Sequence, residues 1–387
     1  MKSEWATMKA SDFIEFNPRL SLKKGTLATK IAMDKLQPFT KRIDITEKAL
    51  YSGGVKFCNG DTILARITPC LENGKTAFVD ILQEGEVGFG STEFIVMRAK
   101  EGVSDPQFVY YVATSPFLRE RAIKSMVGSS GRQRVQQSVI ENLELSVPPL
   151  QIQKEIGSFL SEIDKKIAVN NQINDNLEQQ LHQLFIQTFN GCDTNISLGK
   201  VVKTTSGGTP ARKHREYYSN GTINWVKSKE LTGQYLFDTE ESLTSLGVAM
   251  SSAKILPAHS VLIAMYGATV GEHGITTKEM ACNQAICALL ENKDYPYTYL
   301  FQIAKENQQN LVNLAIGSAQ QNISQILLKQ LSVHSDVATI HQYHCLALPL
   351  HKEIELLQSE NRLLNTTRDA LLPELMTGEL DLSSVDF

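Results

Sequence analysis

The stretch LQIQKEIGSFLSEIDKKIAVNNQINDNLEQQLHQLF, residues 150–185, decides the fold. The residues that would form the contact seam of this helix recur at alternating steps of four and three residues, which is the 3.5-residue spacing of a coiled coil. Pro148 and Pro149 precede it and cannot continue a helix backward, while Asn190-Gly191 is a common helix end. The stretch therefore predicts one helix of roughly 39 residues, about 58 Å long at ~1.5 Å per residue.

The chain contains this pattern a second time, from about residue 337 to 376. Both copies have an asparagine at the same place in the seam. Two unrelated long helices are the alternative, but the shared register favours an internal duplication. The residues predicted to pack helix against helix are Ile163, Ile167, Asn174, Leu177 and Leu184 in the first copy, and Leu350, Ile354, Asn361, Leu364 and Leu371 in the second.

The segments before the two helices also correspond. DTILARITPCLENGK (61–75) aligns with SVLIAMYGATVGEHG (260–274), and SSGRQRVQQSVIENLEL (129–145) aligns with GSAQQNISQILLKQLSV (317–333). Short apolar runs between Gly, Asn and Asp turns predict strands, with hairpins near Asn59-Gly60-Asp61 and Asn73-Gly74. Asp105-Pro106 predicts the start of a helix whose apolar positions Phe108, Tyr111, Val112 and Phe117 fit one face. Asp336 is expected to cap the second long helix. The predicted segments are residues 1–149, 150–190, 191–336 and 337–387.

Composition limits the function classes. The chain has 387 residues, a net charge of −4 and a pI of about 6.1, which argues mildly against a nucleic-acid binder acting alone. Its six cysteines form no CxxC pair, so neither a zinc site nor a disulfide framework is expected. No secretory signal and no apolar run of membrane length are visible, and we expect a cytoplasmic protein. Because GxxxxGK[ST], HExxH and GxSxG motifs are absent, we expect no catalytic centre and no metal site.

Basic and polar loops are the candidates for DNA contact, because Lys and Arg contact phosphates while Arg, Asn and Gln read base edges. The richest loop is TTSGGTPARKHREYYSNGTINWVKSKEL, residues 204–231. The alternative is that its aromatic residues are core and its charges only surround them. The full set of candidates is Lys23, Lys24, Lys30, Arg66, Arg132 and Arg134 in the first half, and Lys203, Ser206, Gly207, Thr209, Arg212, Lys213, Arg215, Tyr217, Lys227, Lys229, Tyr266, Gln320, Gln321 and Asn322 in the second.

Taken together, the sequence resembles the specificity subunits of type I DNA restriction–modification systems. The resemblance rests on the two-part layout and on GDTILAR (60–66), SVPPLQIQKEI (146–156), GSAQQNISQILLKQL (317–331) and LLPELMTGEL (371–380). It implies two α/β (α+β) target recognition domains with an internal pseudo-twofold repeat, joined by two long antiparallel coiled-coil helices. Each domain would read one half of a split site in double-stranded DNA.

The resemblance also implies a division of labour. Two modification (methyltransferase) subunits would dock on the helices, restriction subunits with translocase activity could join them, and no membrane partner is expected. This chain would be a non-catalytic subunit that binds no cofactor, since S-adenosylmethionine, ATP and Mg would belong to the partners. A coiled-coil adaptor that binds other proteins rather than DNA is the alternative function.

Overall fold

The computed structural model describes residues 5–316 and 322–380. The chain forms two compact units. The first comprises the residues up to Val169 together with those from Asn361 onward, and the second is Asn170–Glu360. Each unit therefore contains one sheet-based domain and a part of both long helices.

The first domain contains two four-stranded sheets and a separate strand pair. Its sheets have the orders β2-β9-β6-β7 and β4-β3-β8-β5, in which only β3 and β8 are parallel, and β1 pairs with β10. The elements are β1 (Ala6–Lys9), α1 (Ala10–Phe13), β2 (Ile14–Phe16), β3 (Leu27–Ile31), β4 (Glu47–Leu50), β5 (Val55–Phe57), β6 (Thr62–Ala65), β7 (Thr76–Phe78), β8 (Gly88–Gly90), β9 (Phe94–Ala99), α2 (Pro106–Thr114), α3 (Pro116–Lys124), α4 (Gln137–Glu141) and β10 (Glu144–Val147).

Two local predictions for this domain need correction. Asn59-Gly60-Asp61 does not close a hairpin, because β5 and β6 belong to different sheets. The helix that starts after Asp105 ends at Thr114, where Ser115 caps a new helix by accepting a hydrogen bond from the Leu118 amide. Phe117 therefore lies on the second helix and is exposed. The predicted cap at Asp105 is confirmed, since its side chain accepts from the amide of Phe108.

The second domain repeats this topology. Its sheets have the orders β12-β20-β17-β18-β14 and β15-β13-β19-β16, and β11 pairs with β21. The parallel pair β13/β19 corresponds to β3/β8, whereas β14, which pairs parallel with β18 at a sheet edge, has no counterpart among the described residues of the first domain. The elements are β11 (Thr194–Ser197), α6 (Leu198–Val201), β12 (Lys203–Ser206), β13 (Ile223–Val226), β14 (Tyr235–Leu236), β15 (Ser242–Leu243), α7 (Ser245–Ala249), β16 (Ile255–Leu256), β17 (Val261–Ala264), β18 (His273–Thr276), β19 (Met280–Cys282), β20 (Ile286–Leu290), α8 (Tyr297–Ile316), α9 (Gln325–Gln330) and β21 (Ser332–His334).

The two long helices are α5 (Leu150–Thr188) and α10 (Val337–Thr377). Asp336 caps α10, because its carboxylate accepts from the Ala338 amide and from the Thr339 hydroxyl, and these bonds lower its pKa. Gly191 and Gly378, just past the two ends, have the positive φ typical of a helix end. Pro349 and Pro373 lie inside α10 without ending it.

Within each unit the two helices run antiparallel. In the first unit Asp164 of α5 binds Arg368 of α10, while Ile156 and Leu160, earlier on α5, share a core with Leu372 and Leu375, later on α10. In the second unit Asn170 binds Glu360, and Phe185 packs edge-on against Tyr343 with 5.5 Å between the ring centroids. Of the predicted packing residues, Asn174, Ile354 and Asn361 are buried and the other seven are half-buried.

A buried polar network joins the first domain to both helices of its unit. The Lys41 ammonium donates to the Tyr111 hydroxyl (3.2 Å) and to the Ser161 hydroxyl (3.0 Å). The Tyr111 hydroxyl donates to Asp164 Oδ2 (2.5 Å), and Arg368 Nη1 donates to Asp164 Oδ1 (2.7 Å). Burial lowers the pKa of Lys41 to about 8, since the charged ammonium is poorly solvated there.

Candidate nucleic-acid interface

A bridge between two loops occurs at the same place in both domains. In the first domain Ile67 pairs with Arg134, and the Val135 amide donates to the Arg66 carbonyl at 2.8 Å. In the second domain Tyr266 pairs with Asn322, and the Ile323 amide donates to the Met265 carbonyl at 2.9 Å. The sequence alignment of the two halves matches Ile67 with Tyr266 and Arg134 with Asn322, so the two bridges join equivalent residues. The bridge places the loops after β6 and β17 beside the segments that follow α3 and α8.

The predicted cations of the first domain differ in how free they are. Lys23 and Lys24 are exposed between β2 and β3, and Arg132 is exposed between α3 and α4. Lys30 instead forms an ion pair with Glu47, with 2.6 Å between Nζ and Oε1. Arg66 is half-buried and donates to the Val135 carbonyl.

Arg134 is exposed but held by an acidic partner. Its Nε and Nη2 donate to the Glu93 carboxylate, the shortest bond being 2.6 Å. These bonds lower the pKa of Glu93 and raise that of Arg134, so both groups stay charged. A ligand that binds the Arg134 guanidinium has to compete with the Glu93 carboxylate.

The second domain holds its basic loop on an aromatic base. Trp225 is buried and donates from Nε1 to the Gly208 carbonyl at 3.0 Å, and the Tyr218 hydroxyl donates to the Pro210 carbonyl at 2.5 Å. Tyr217 is also buried, so its predicted role in DNA contact needs correction: the ring stacks on His214 and serves the core.

Gly207 serves the fold rather than a partner. The loop passes so close to β19 that a Cβ at this position would overlap the carbonyl of Cys282. The close backbone approach that the sequence predicted is therefore an approach to the chain itself. Ser206 beside it is half-buried at the end of β12, and the Thr209 hydroxyl donates to the side chain of Gln284.

Two adjacent carboxylates bind three of the predicted cations. Glu241 accepts from Arg212 Nη1 at 2.5 Å and from Lys227 Nζ at 2.9 Å. Glu240 accepts from Lys227 at 2.9 Å and lies 2.8 Å from Lys229 Nζ. The bonds to Arg212 and then Lys227 lower the pKa of Glu241 to about 2, so this cluster stays ionised throughout the neutral range.

The other candidates of the second domain differ in exposure. Lys203, Lys213 and Arg215 are exposed, and the Tyr266 side chain is also exposed beside the bridge. Asn322 is half-buried at the bridge itself. Gln320 and Gln321 lie outside the described residues.

Sequence reasoning missed the acidic partners Glu93, Glu240 and Glu241. The run DTEES, residues 238–242, shows that acidic side chains follow the basic loop, but it does not show which cations they bind. Within residues 5–316 and 322–380, no group of three or more His, Cys, Asp or Glu side chains is arranged to hold a metal ion. In the same part of the chain, no helix has the length and apolar content needed to cross a membrane.

Two domains that share one strand arrangement and the same bridge, each with exposed basic side chains on loops, are the arrangement expected of a tandem nucleic-acid reader. The family model described as "Type I restriction modification DNA specificity domain" matches residues 2–179 and 194–334. The chain belongs to this family, and its function is recognition of DNA sequence. The family resemblance and the fold class expected from the sequence are confirmed, and the adaptor alternative is not favoured.

Individual relatives agree with the family match. The chain is 22% identical over 403 aligned residues to the HindI specificity subunit of Haemophilus influenzae, covering 83% of this chain and 86% of that protein. It is 28% identical over 205 residues to the EcoAI specificity subunit of Escherichia coli, covering 50% of this chain but only 33% of that one. The solved S subunit of the M. genitalium type I system has the same fold, with a TM-score of 0.59, 14% identity and 96% of each chain covered.

Proposed function

We propose that this chain is the specificity subunit of a type I restriction–modification complex in which each domain reads one half of a split DNA site. The observation that carries this proposal is one topology with two different loop sets. Both domains share the order of four strands in each sheet and the same bridge, and the second domain adds β14 at one edge. The first domain nevertheless presents Lys23, Lys24 and Arg132, while the second presents Lys213 and Arg215. Two similar readers with different side chains are suited to an asymmetric bipartite site.

A split site also fits the dimensions of DNA. Half-sites that face the same side of B-DNA lie about one helical turn, ~34–36 Å, apart between their centres. The length of the unread gap would then depend on α5 and α10, which both carry continuous helix from one unit into the other.

We further propose that the long helices dock two modification subunits. The exposed apolar side chains of both helices are the groups that such a partner would cover. On α10 the exposed fractions are 52% for Leu346, 65% for Leu356 and 66% for Leu363, and on α5 they are 48% for Val169 and 47% for Ile186. Burial of these side chains against a partner would stabilise a complex.

In this proposal the chemistry belongs to the partners. The modification subunits would bind S-adenosylmethionine and methylate adenine, and restriction subunits, where present, would use ATP and Mg. The small negative net charge of the chain fits this arrangement, because the partners would then supply much of the sequence-independent attraction to phosphate.

Long-read mapping of N6-methyladenine in the host tests the proposal. We expect a split motif that disappears when this chain is deleted and returns when the wild-type chain is supplied. The matched control is a deletion strain that carries the empty vector. A methylation pattern that is the same with and without the chain would contradict the proposal.

A further inference from the structure

Arg212 is presented to solvent on a rigid base. Its side chain is 55% exposed, and its guanidinium carbon lies 4.5 Å from the ring centroid of Tyr218 and 5.2 Å from that of Trp225. Trp225 is buried, and both rings are fixed by hydrogen bonds to carbonyls of the loop that carries Arg212. An arginine held in this way loses little side-chain entropy when it binds a ligand.

Glu241 leaves one edge of this guanidinium available. Its two carboxylate oxygens accept from Nη1 (2.5 Å) and Nη2 (3.3 Å), which engages the end of the planar group. Of the five N–H groups, the one on Nε and the second one on Nη2 point side by side in another direction. Neither makes a hydrogen bond within the part of the chain that the structure describes.

Two parallel N–H donors match the O6 and N7 acceptors of guanine in the major groove. A phosphate is the other ligand for such an edge, but the surroundings disfavour it. The Glu241 carboxylate pairs directly with Arg212 and offsets much of its charge, which weakens the attraction of this guanidinium for a phosphate. Binding to the neutral edge of a base depends on the direction of the two donors more than on the charge of the guanidinium.

We propose that Arg212 reads a guanine in the half-site bound by the second domain, and that Glu241 is a positioning residue that fixes the edge Arg212 presents. The proposal rests on the function proposed above. It assigns a specificity-determining role to one residue of the loop and a supporting role to its carboxylate partner.

The test begins with the full chain in its reconstituted complex, used to select binding sequences from a pool of randomised DNA duplexes. The wild type is expected to select a split motif with a guanine in the half assigned to the second domain. Arg212→Gln should reduce the preference for that guanine about 5- to 100-fold, the range for one bidentate contact, and leave the other half of the motif unchanged. Glu241→Gln should reduce the same preference by a smaller factor.

A change in the DNA makes the test independent of protein folding. Replacing the guanine by 7-deazaguanine removes the N7 acceptor, so it should weaken wild-type binding several-fold and have almost no effect on Arg212→Gln. Lys213→Gln is the matched control, because Lys213 is the exposed cation next in sequence. This variant should bind every duplex more weakly by the same factor.

The outcomes distinguish a failure of the proposed function from a failure of the role proposed for Arg212. If the wild type selects no sequence, the proposed function fails. If it selects a split motif but Arg212→Gln keeps the same guanine preference, or weakens all duplexes equally, the role of Arg212 is wrong and the proposed function stands. Wild-type binding that is insensitive to 7-deazaguanine would also overturn the assignment.

Discussion

The buried carboxylate of Asp164 is expected to hold the first unit together, and Asp164→Asn tests this. Its side chain is 9% exposed, and it accepts from the Tyr111 hydroxyl and from Arg368, whose side chain is 13% exposed. The substitution keeps the size of the side chain but leaves the Arg368 cation without its buried counter-charge. Breaking such a pair costs about 3–5 kcal/mol, and because asparagine still accepts one hydrogen bond we expect about 3 kcal/mol.

Native-state amide hydrogen exchange measures this loss locally. A loss of about 3 kcal/mol corresponds to a roughly 100-fold decrease in the protection of the most stable amides, since each 1.4 kcal/mol is a factor of ten. We expect the decrease in α2, which carries Tyr111, and not in β17 and β20 of the second unit. Asp369→Asn is the matched control: this carboxylate also binds Arg368 but is 66% exposed, so its loss should change protection less than fivefold.

A decrease below fivefold in α2 for Asp164→Asn would refute the reasoning, because the pair would then contribute no more than an exposed one. An equal decrease in both units would also refute it, since the change would not be confined to the unit that contains the network.

Three further predictions concern pH and packing. The folded-state pKa of Lys41 is lowered to about 8, so between pH 8 and 10.5 the unfolded chain binds more protons than the folded chain. The urea midpoint of the first unit should therefore rise with pH over this range in the wild type, and rise less in Lys41→Met. Equal slopes in the two proteins would contradict this. Burial lowers the pKa of His351 to about 3, so the second unit should lose stability as pH falls from 6.5 towards 3. In His351→Leu the stability of this unit should depend less on pH over that range. An unchanged pH dependence would show that this histidine does not contribute. Gly207→Ala should destabilise the second unit by at least about 1–3 kcal/mol, because the added Cβ overlaps the Cys282 carbonyl. Gly53→Ala is the control and should not change thermal unfolding, since open space surrounds that position. Equal effects of the two substitutions would contradict the packing argument.

Local signals in the sequence were sufficient for several elements. Asp105 and Asp336 cap the helices they were predicted to cap, because a cap depends only on the next few residues. The length of α5 followed from its flanking prolines and glycine together with its seam spacing. The alignment of the two halves matched the residues that form equivalent bridges in the two domains, Ile67 with Tyr266 and Arg134 with Asn322.

Properties that depend on distant partners could not be predicted. Strands β5 and β6 join different sheets because their partner strands are far away in sequence. The prediction of a hairpin at Asn59 was therefore wrong. Glu241 lies 29 residues after Arg212 in sequence. It directly precedes β15, and the pairing of β15 with β13 brings Glu241 close to Arg212. The burial of Tyr217 has the same origin, because a turn of basic and aromatic residues does not show which of them faces the core.

The most direct test of the account is an exchange of the second domain. Residues 192–336 are replaced by the corresponding segment of another member of the family, and the methylated or bound motif is determined for the parent and the chimaera in the same complex. We expect one half of the motif to change while the other half and the gap between them stay the same. A motif that changes in both halves, or in neither, would contradict it.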